Sequence, residues 1–154
     1  MDEVSKRPWR ETTPAAVQGD LDALVALAVA TARDALARRH GFQPFSVQLD
    51  DDRLPQVSWM DPQVSGPRPR AADLLPLLVS SLKEQRERLL AGGVVADTTV
   101  DGGDVIRVEL EHRDGGPGLV VAVPYRPSWV GGEISLGERR VATCARKVWD
   151  DAAG

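Results

Sequence analysis

Alternation of apolar and polar residues is clearest between residues 94 and 125, where three alternating runs are joined by two loops that begin with Asp-Gly-Gly. In the middle run, Ile106, Val108 and Leu110 share one parity, and charged residues occupy the other. Successive side chains of a strand point to opposite faces of a sheet, so this run predicts an antiparallel strand with one apolar and one polar face. The loop glycines can supply the positive φ angles of tight turns. We therefore predict a three-stranded meander over residues 94–100, 105–113 and 119–125.

Shorter runs predict three further strands. Residues 45–49 alternate between apolar and polar side chains and precede a row of three aspartates. Val57 and Trp59 form a weaker run, and Pro55 places it at an edge of the sheet because proline cannot donate a ladder hydrogen bond. Residues 134–136 predict a last short strand. Together with the meander, these runs predict a sheet of about five principal strands.

Two longer segments have the apolar spacing of an amphipathic helix. The first begins at Asp20, which can act as its N-cap, and ends before Gly41. The second begins at Asp73 and ends at the pair Gly92-Gly93. Apolar positions recur in both at intervals of three and four residues, which predicts one buried face for each helix. The same spacing over residues 141–148 favours a short helix near the end of the chain, and a strand over residues 139–149 remains the alternative.

These elements predict a single α+β domain with the order α-β-β-α-β-β-β, followed by a further strand or a short helix. Its antiparallel sheet of about five strands is expected to be covered on one face by both long helices, because their apolar stripes need an apolar surface. A chain of 154 residues is long enough for one domain with a substantial core. We expect the domain to span residues 19–138, after a flexible tail over residues 1–18. Residues 139–154 are expected to form a C-terminal segment, either a short helix or a tail.

Composition and charge limit the classes of function. The net charge of −4 is spread over the chain without a block of like charges, which does not favour nucleic-acid binding. Such binding would require four arginines to form one basic stripe: Arg126, Arg139, Arg140 and Arg146. Cys144 is the only cysteine and the N-terminus lacks the apolar core of a signal peptide, so the cytoplasm is the expected compartment. No uninterrupted apolar run approaches the roughly 20 residues of a membrane span, and no membrane partner is expected.

Ionisable side chains are densest on the polar face and at the exit of the central predicted strand. The candidate binding residues are Arg107, Glu109, Glu111, His112, Tyr125, Arg126 and Trp129. His112 continues the apolar parity of its strand, so burial and neighbouring carboxylates could shift its pKa and make it a general base. A structural interpretation is stronger, because a histidine at the end of a strand commonly hydrogen-bonds to a loop, and a polar strand face commonly carries cross-strand ion pairs.

The sequence contains no catalytic signature, and neither a cofactor nor a metal ion is expected. Asp50-Asp51-Asp52 lacks the alternate spacing, the glycine and the closing glutamate of a calcium loop, so it predicts an acidic turn. The glycine-rich loops lead into predicted strands, whereas phosphate-binding loops lead into helices. With two histidines and one cysteine, the chain has few of the side chains that zinc prefers.

Three motifs resemble a set of small bacterial proteins whose function is uncharacterised. They are Pro44–Asp50, the run Ile106–Gly115 that reads IRVELEHRDG, and Pro124-Tyr125-Arg126 before Gly132-Glu133. The resemblance covers about residues 20–136 and implies no activity, cofactor or site. The order of elements also resembles that of profilin-like and roadblock-type modules, a likeness of fold that does not transfer function.

The leading hypothesis is a non-enzymatic interaction or regulatory protein that presents a sheet face or edge to a protein partner. A homodimer is expected, because Trp9, Trp129 and Trp149 lie outside the predicted core, where aromatic residues often anchor interfaces. The alternative is a small-molecule-binding protein or an enzyme, and a deep pocket would favour it. Its pocket would lie near His112, Glu111, Tyr125 and Trp129.

Overall fold

The structure is a computed structural model, and it describes residues 8–39, 41–61, 63, 66, 69–127 and 133–150. Within these residues the helices are α1 (Pro8–Thr12), α2 (Ala15–Arg39) and α3 (Ala71–Gln85), the last followed by a 3₁₀ turn (Arg86–Arg88). The strands are β1 (Phe45–Asp50), β2 (Pro55–Trp59), β3 (Leu89–Val100), β4 (Gly103–His112), β5 (Gly118–Pro127), β6 (Ile134–Leu136) and β7 (Arg140–Cys144).

The strands form one antiparallel sheet with the order β2-β1-β3-β4-β5-β6, and β7 also pairs with β5. β7 pairs with residues 118–122 of β5, and β6 pairs with residues 125–127. The predicted α+β class, with an antiparallel sheet and two long helices, is confirmed. The predicted meander corresponds to β3, β4 and β5, and the strand that contains Pro55 does lie at an edge of the sheet.

The two long helices lie on opposite faces of the sheet, whereas the sequence predicted that both cover one face. Val95 belongs to the core cluster that α2 covers, and its neighbour Val94 packs with Leu78 and Leu82 of α3. Adjacent strand residues point to opposite faces, so the sheet has a first face under α2 and a second face under α3. The reason lies in β3, where residues 89–96 are apolar or glycine at every position and all are buried. Such a strand needs cover on both faces.

The pair Gly92-Gly93 lies inside β3 and does not end a helix, because α3 already ends at Gln85. A side chain at position 93 has no space. A Cβ there would lie 1.7 Å from the backbone oxygen of Glu109 in β4. Glycine is therefore required by the close contact of two strands rather than by a helix terminus.

Residues 8–18, predicted as part of a flexible tail, contain α1 and the start of α2. Helix α2 begins at Ala15, so Asp20 lies inside it and the N-cap assignment of Asp20 is wrong. Trp9 is 4% exposed and belongs to the same core cluster as Val17. Burial of these two side chains stabilises helical structure that the polar composition of the segment did not indicate.

Helix α2 is, within the described part of the chain, the one helix with the length and composition to cross a membrane. Its most apolar window of 18 residues has a mean hydropathy of 1.4. The sequence-based expectation considered uninterrupted apolar runs only, and α2 is interrupted by single polar residues. A core helix meets the same criterion, and α2 packs its apolar side against the first face of the sheet.

Residues 140–144 form strand β7, so of the two alternatives that the sequence left open the strand is correct and the favoured short helix is wrong. Val141 packs at the margin of the first-face core, whereas Val148 is buried on the second face. One helix face could not place these two residues on opposite sides of a sheet. Residues 145–150 follow β7 without regular secondary structure and pack against α3.

Candidate functional site

Strand β4 carries four of the candidate residues and distributes them over both faces of the sheet. His112 shares the parity of Val108 and Leu110, which lie in the first-face core. The charged candidates of the opposite parity are Arg107, Glu109 and Glu111. The alternation predicted for this strand is confirmed, but its candidate side chains do not share one surface.

His112 belongs to a buried polar network that joins β4 to α2. Its Nε2 lies 2.9 Å from Oδ2 of Asp20, and its Nδ1 accepts a hydrogen bond of 3.0 Å from the backbone N–H of Asp114. Because Nδ1 accepts, the ring proton lies on Nε2, which donates it to the carboxylate. Arg53 Nε donates to the other carboxylate oxygen at 3.1 Å.

Burial and hydrogen bonding act in opposite directions on the Asp20 carboxyl. Burial raises the pKa of the carboxyl. The hydrogen bonds from His112 and Arg53 lower this pKa by a larger amount, so the net pKa lies below the ordinary value. Both ring nitrogens of His112 are bonded and the residue is 1% exposed, so a substrate has no access to either nitrogen. This geometry supports the structural interpretation of His112 over a general base.

Asp20 is the residue of this network that the sequence analysis missed. It lies between Val17 and Leu24 in the stripe of α2 that is buried against the sheet. A carboxylate in such a stripe requires hydrogen-bond donors, since an unpaired buried charge is very costly. That position was the available signal, and the assignment of Asp20 as an N-cap concealed it.

The two glutamates of β4 hold the C-terminal segment on the second face. Glu111 is buried and accepts hydrogen bonds from the backbone N–H groups of residues 147–149 at 2.7 to 3.1 Å. Glu109 accepts a hydrogen bond of 2.8 Å from Lys147 Nζ and another of 3.1 Å from Arg107 Nε. Burial raises the pKa of Glu109. The two cations lower this pKa by a larger amount, so the net pKa is below its ordinary value. Both glutamates are thus engaged within the chain.

Tyr125 lies at the opposite end of the sheet from His112, beside the start of β4. Its hydroxyl donates a hydrogen bond of 2.6 Å to Asp97, and burial together with this carboxylate raises the pKa of the tyrosine. The cleft beside this pair measures about 240 Å³. Ligand pockets usually measure roughly 300–1,000 Å³, so this one is small. Trp129 lies outside the described residues.

Arg126 borders a larger cleft, of about 830 Å³, at the end of β5. Its charged lining residues are Asp104, Arg126, Glu138 and Arg140. These two cations and two anions give the cleft no net charge with which to select a ligand. Neither His112 nor Glu111 lines it. Tyr125 also lines this cleft, so among the described residues the structure places Tyr125 and Arg126 together and His112 and Glu111 elsewhere.

Other candidate chemistry is limited in the described residues. They contain no group of three or more His, Cys, Asp or Glu side chains that could hold a metal ion. Cys144 is half-buried, and burial together with the neighbouring Glu109 raises the pKa of its thiol. Arg146 donates a hydrogen bond of 2.7 Å to the backbone oxygen of Gly116, in the loop before β5. It therefore lies at the other end of β5 from Arg126, and the basic stripe of the nucleic-acid alternative is interrupted.

The edge strand β2 has an exposed apolar surface. Leu54 and Trp59, at its two ends, are 56% and 48% exposed. The ring of Trp59 packs against buried Phe45, with the ring centroids 4.5 Å apart and the ring planes tilted by 41°, and about half of Trp59 remains exposed to solvent. Exposed apolar groups at the edge of a sheet are typical of surfaces that bind another chain.

The backbone of β2 is also open to a further strand. The β1–β2 hairpin closes with a hydrogen bond of 3.3 Å from the N–H of Asp50 to the oxygen of Leu54. Bonded and non-bonded pairs alternate along an antiparallel ladder, so Pro55, Val57 and Trp59 direct their backbone groups away from β1. Those groups make no backbone hydrogen bond to the described residues. The backbone N–H that proline lacks at position 55 would point away from β1, so its absence removes no hydrogen bond between β1 and β2.

A groove of about 520 Å³ runs beside this edge. It is lined by residues of α2 and by Phe42, Trp59 and Met60. The α2 residues at the groove are Thr31, Asp34, Ala35, Arg38 and Arg39. The sheet ends on the other side in two edge strands, β6 and β7. β6 has only three residues and β7 begins at Arg140 directly after Arg139, and both short edge strands and charged residues at an edge oppose strand addition. Of these edge strands, β2 is therefore better suited to bind an extended segment.

A scan against protein-family models, a search of curated proteins and a search of solved structures find no match to this chain. The resemblance to small bacterial proteins remains a prediction, and function is inferred from the geometry alone.

Proposed function

We propose that this protein is a non-enzymatic interaction protein that binds an extended protein segment as an additional strand on β2. The observation that carries the proposal is the open outer edge of β2, with exposed apolar residues at both ends. Strand addition supplies affinity through backbone hydrogen bonds and specificity through side-chain pockets. The groove beside Trp59 is positioned to receive a side chain of the added strand.

The segment that fits this edge best is β2 of a second copy, which would make the protein a homodimer. In an antiparallel pair centred on Val57, the outward N–H and C=O of each Val57 meet those of the other copy. The N–H of each Trp59 then meets the C=O of Pro55 in the other copy. The missing N–H of proline is the only donor that the pair lacks among these positions, so β2 is nearly self-complementary.

The distribution of the candidate residues supports this proposal over the small-molecule alternative. His112 is enclosed, Glu111 is engaged by the C-terminal segment, and Tyr125 lies at the other end of the sheet. Helices α2 and α3 cover much of both sheet faces, which leaves an edge as the available binding surface. An edge is one of the two surfaces expected from the sequence.

Sedimentation equilibrium tests the proposal at protein concentrations of tens of micromolar. A biologically useful homodimer is populated in this range of concentration. The parent chain should sediment as a dimer. Val57→Pro removes the central outward donor without removing a β1 hydrogen bond, and it should give a monomer. Ser58→Lys should do the same, because the two lysines would face each other diagonally across the new pair at roughly 7–8 Å.

Leu77→Ser is the matched control, because Leu77 is a similarly exposed apolar residue on α3, away from β2. It should remain dimeric. Circular dichroism of each variant confirms that a monomer is folded. A parent chain that is monomeric throughout this range, or folded edge variants that remain dimeric, would contradict the proposal.

A further inference from the structure

Residues 147–150 are held on the second face in the manner of a bound peptide. The segment has no regular secondary structure, and a single buried carboxylate, Glu111, accepts hydrogen bonds from three of its successive N–H groups. Arg86 Nη1 donates a hydrogen bond of 2.9 Å to the backbone oxygen of Val148. Side chains of the sheet and of the turn after α3 therefore bind the backbone of the segment, as a receptor binds a linear ligand.

The two central side chains of the segment fill an apolar groove between α3 and the sheet. Val148 is 2% exposed and Trp149 is 4% exposed. The buried residues of the same cluster come from α3 and β3, and they are Leu78, Leu82, Leu89 and Val94. A large aromatic residue in an enclosed apolar pocket, surrounded by hydrogen bonds, has the characteristics of an interface hot spot.

Charged pairs at both ends set the direction of the segment in the groove. Lys147 Nζ lies 2.8 Å from Glu109 at one end. Asp150 lies 3.2 Å from Lys83 Nζ and 3.7 Å from Arg86 Nη1 at the other. The groove is thus acidic where the segment is basic and basic where the segment is acidic. A segment bound in the reverse direction would meet like charges at both ends.

We infer that this groove is a binding site for linear protein segments with the order basic, aliphatic, aromatic, acidic, and that the chain's own residues 147–150 occupy it in the absence of a partner. A partner segment of that chemistry replaces them. Exchange is feasible because the segment forms no strand or helix with the rest of the fold, so the groove can release it while the sheet stays intact. Arg146, bound to the backbone oxygen of Gly116, keeps the base of the released segment in place.

Competition within the chain sets the apparent affinity for the partner. A short tether gives the chain's own segment an effective concentration in the millimolar range. A free peptide of equal chemistry therefore binds the parent chain weakly, and weakening of the internal segment exposes the full affinity of the groove. This inference is independent of the β2 edge, which lies on another part of the sheet.

Fluorescence anisotropy with a labelled peptide of the sequence Ala-Arg-Lys-Val-Trp-Asp, residues 145–150, tests the inference on the full chain. Asp150→Lys places a like charge beside Lys83 and Arg86 and weakens the internal segment without a change in the core. Trp149→Ala weakens it further. Each variant should bind the peptide at least ~10-fold more tightly than the parent, because the internal competitor is impaired.

Three controls make the result specific. Leu77→Ala, on the exposed side of α3, should bind the peptide as weakly as the parent. A peptide with alanine in place of tryptophan should not bind any variant. Glu111→Gln combined with Asp150→Lys should lose the gain in affinity, because an amide is a weaker acceptor for the three N–H groups than a carboxylate.

Asp150 is exposed, so Asp150→Lys should leave the fold intact, and its effect on peptide binding then decides the question. If this variant keeps the parental circular dichroism and melting curve but binds the peptide no more tightly than the parent, the inference is wrong and the segment is a fixed part of the core. The inference is also wrong if the alanine peptide binds as well as the tryptophan peptide, because the apolar groove would then not be the site that the peptide occupies.

Discussion

Replacement of Asp20 by asparagine tests the buried network more directly than any other single change. The carboxylate accepts from His112 Nε2 on one oxygen and from Arg53 Nε on the other. Asparagine has nearly the same shape but offers one oxygen and one NH₂ group, which is a donor. It can therefore accept from His112 or from Arg53, but not from both, and its acceptor carries no charge.

The expected cost in the free energy of unfolding is about 2 kcal/mol. A hydrogen bond to a charged group contributes about 1.5–3 kcal/mol, and the neutral amide should retain part of this for His112. The Arg53 side chain is 60% exposed, so its ion pair adds less than about 1 kcal/mol. For a chain of this length, 2 kcal/mol corresponds to a decrease in Tm of about 4–8 °C.

The cost should depend on pH in a defined direction. The native pKa of Asp20 lies below its ordinary value of 3.8, so the native state favours the ionised carboxyl. The stability that Asp20 contributes is therefore fully present above about pH 5 and is lost as the pH falls through the lowered native pKa. The contribution of the Asp20 carboxyl to the difference between parent and Asp20→Asn should shrink as the pH falls below about 5.

Urea unfolding followed by circular dichroism measures the difference, and a double-mutant cycle with His112→Gln isolates the pair. The cost of Asp20→Asn should fall by at least about 1 kcal/mol when His112 is already replaced, because contacting groups are coupled. A cost within about 0.5 kcal/mol of zero at pH 7, as for an ordinary surface substitution, would refute the network. So would equal costs in the presence and absence of His112.

Two other predictions concern glycine and cysteine positions. Gly93→Ala should prevent formation of the native sheet, because its Cβ would contact the backbone oxygen of Glu109. Gly19→Ala lies on an open part of α2 and should raise the free energy of unfolding by up to about 1 kcal/mol. Thermal melting measures both effects. Cys144 should react with a thiol reagent at pH 7 more slowly in the native protein than in urea, because its raised pKa leaves less thiolate. Equal rates in the two states would contradict the half-buried placement of this side chain.

The elements that local pattern specifies were predicted well. Alternation over residues 105–113 identified most of β4, which spans Gly103–His112, and the face of each side chain, because every second residue from Ile106 to His112 is buried on the face that α2 covers. Pro55 indicated an edge strand because the absent N–H has the same consequence in any sheet. Both predictions depend on neighbours a few residues away.

The errors came from residues whose environment is set by distant parts of the chain. Gly92-Gly93 has the composition of a helix end, and only the approach of the β4 backbone explains its place in β3. Val141 and Val148 have helical spacing, but they pack on opposite faces of a sheet that the segment itself extends. No local pattern contains that information.

The candidate site was predicted less well than the fold, for the same reason. His112 was correctly placed on the apolar parity of β4, but its partner Asp20 lies 92 positions away in sequence. The sequence predicted that Glu111 lies on the solvent-exposed face of the strand, because residues 147–149, which it binds, were predicted as part of a separate helix or tail. A cluster of charged residues on one strand indicates where ionisable groups are dense, and it does not show which of them are already paired.

The burial of β3 on both faces has a consequence for aggregation. Residues 89–96 contain no charge and no proline, and such stretches associate readily when they are exposed. In the native sheet β1 covers one edge of β3 and β4 covers the other. Detachment of the β1–β2 hairpin alone would open one edge, and local opening requires less free energy than global unfolding. The hairpin that carries the proposed binding edge therefore also protects the most aggregation-prone stretch of the chain.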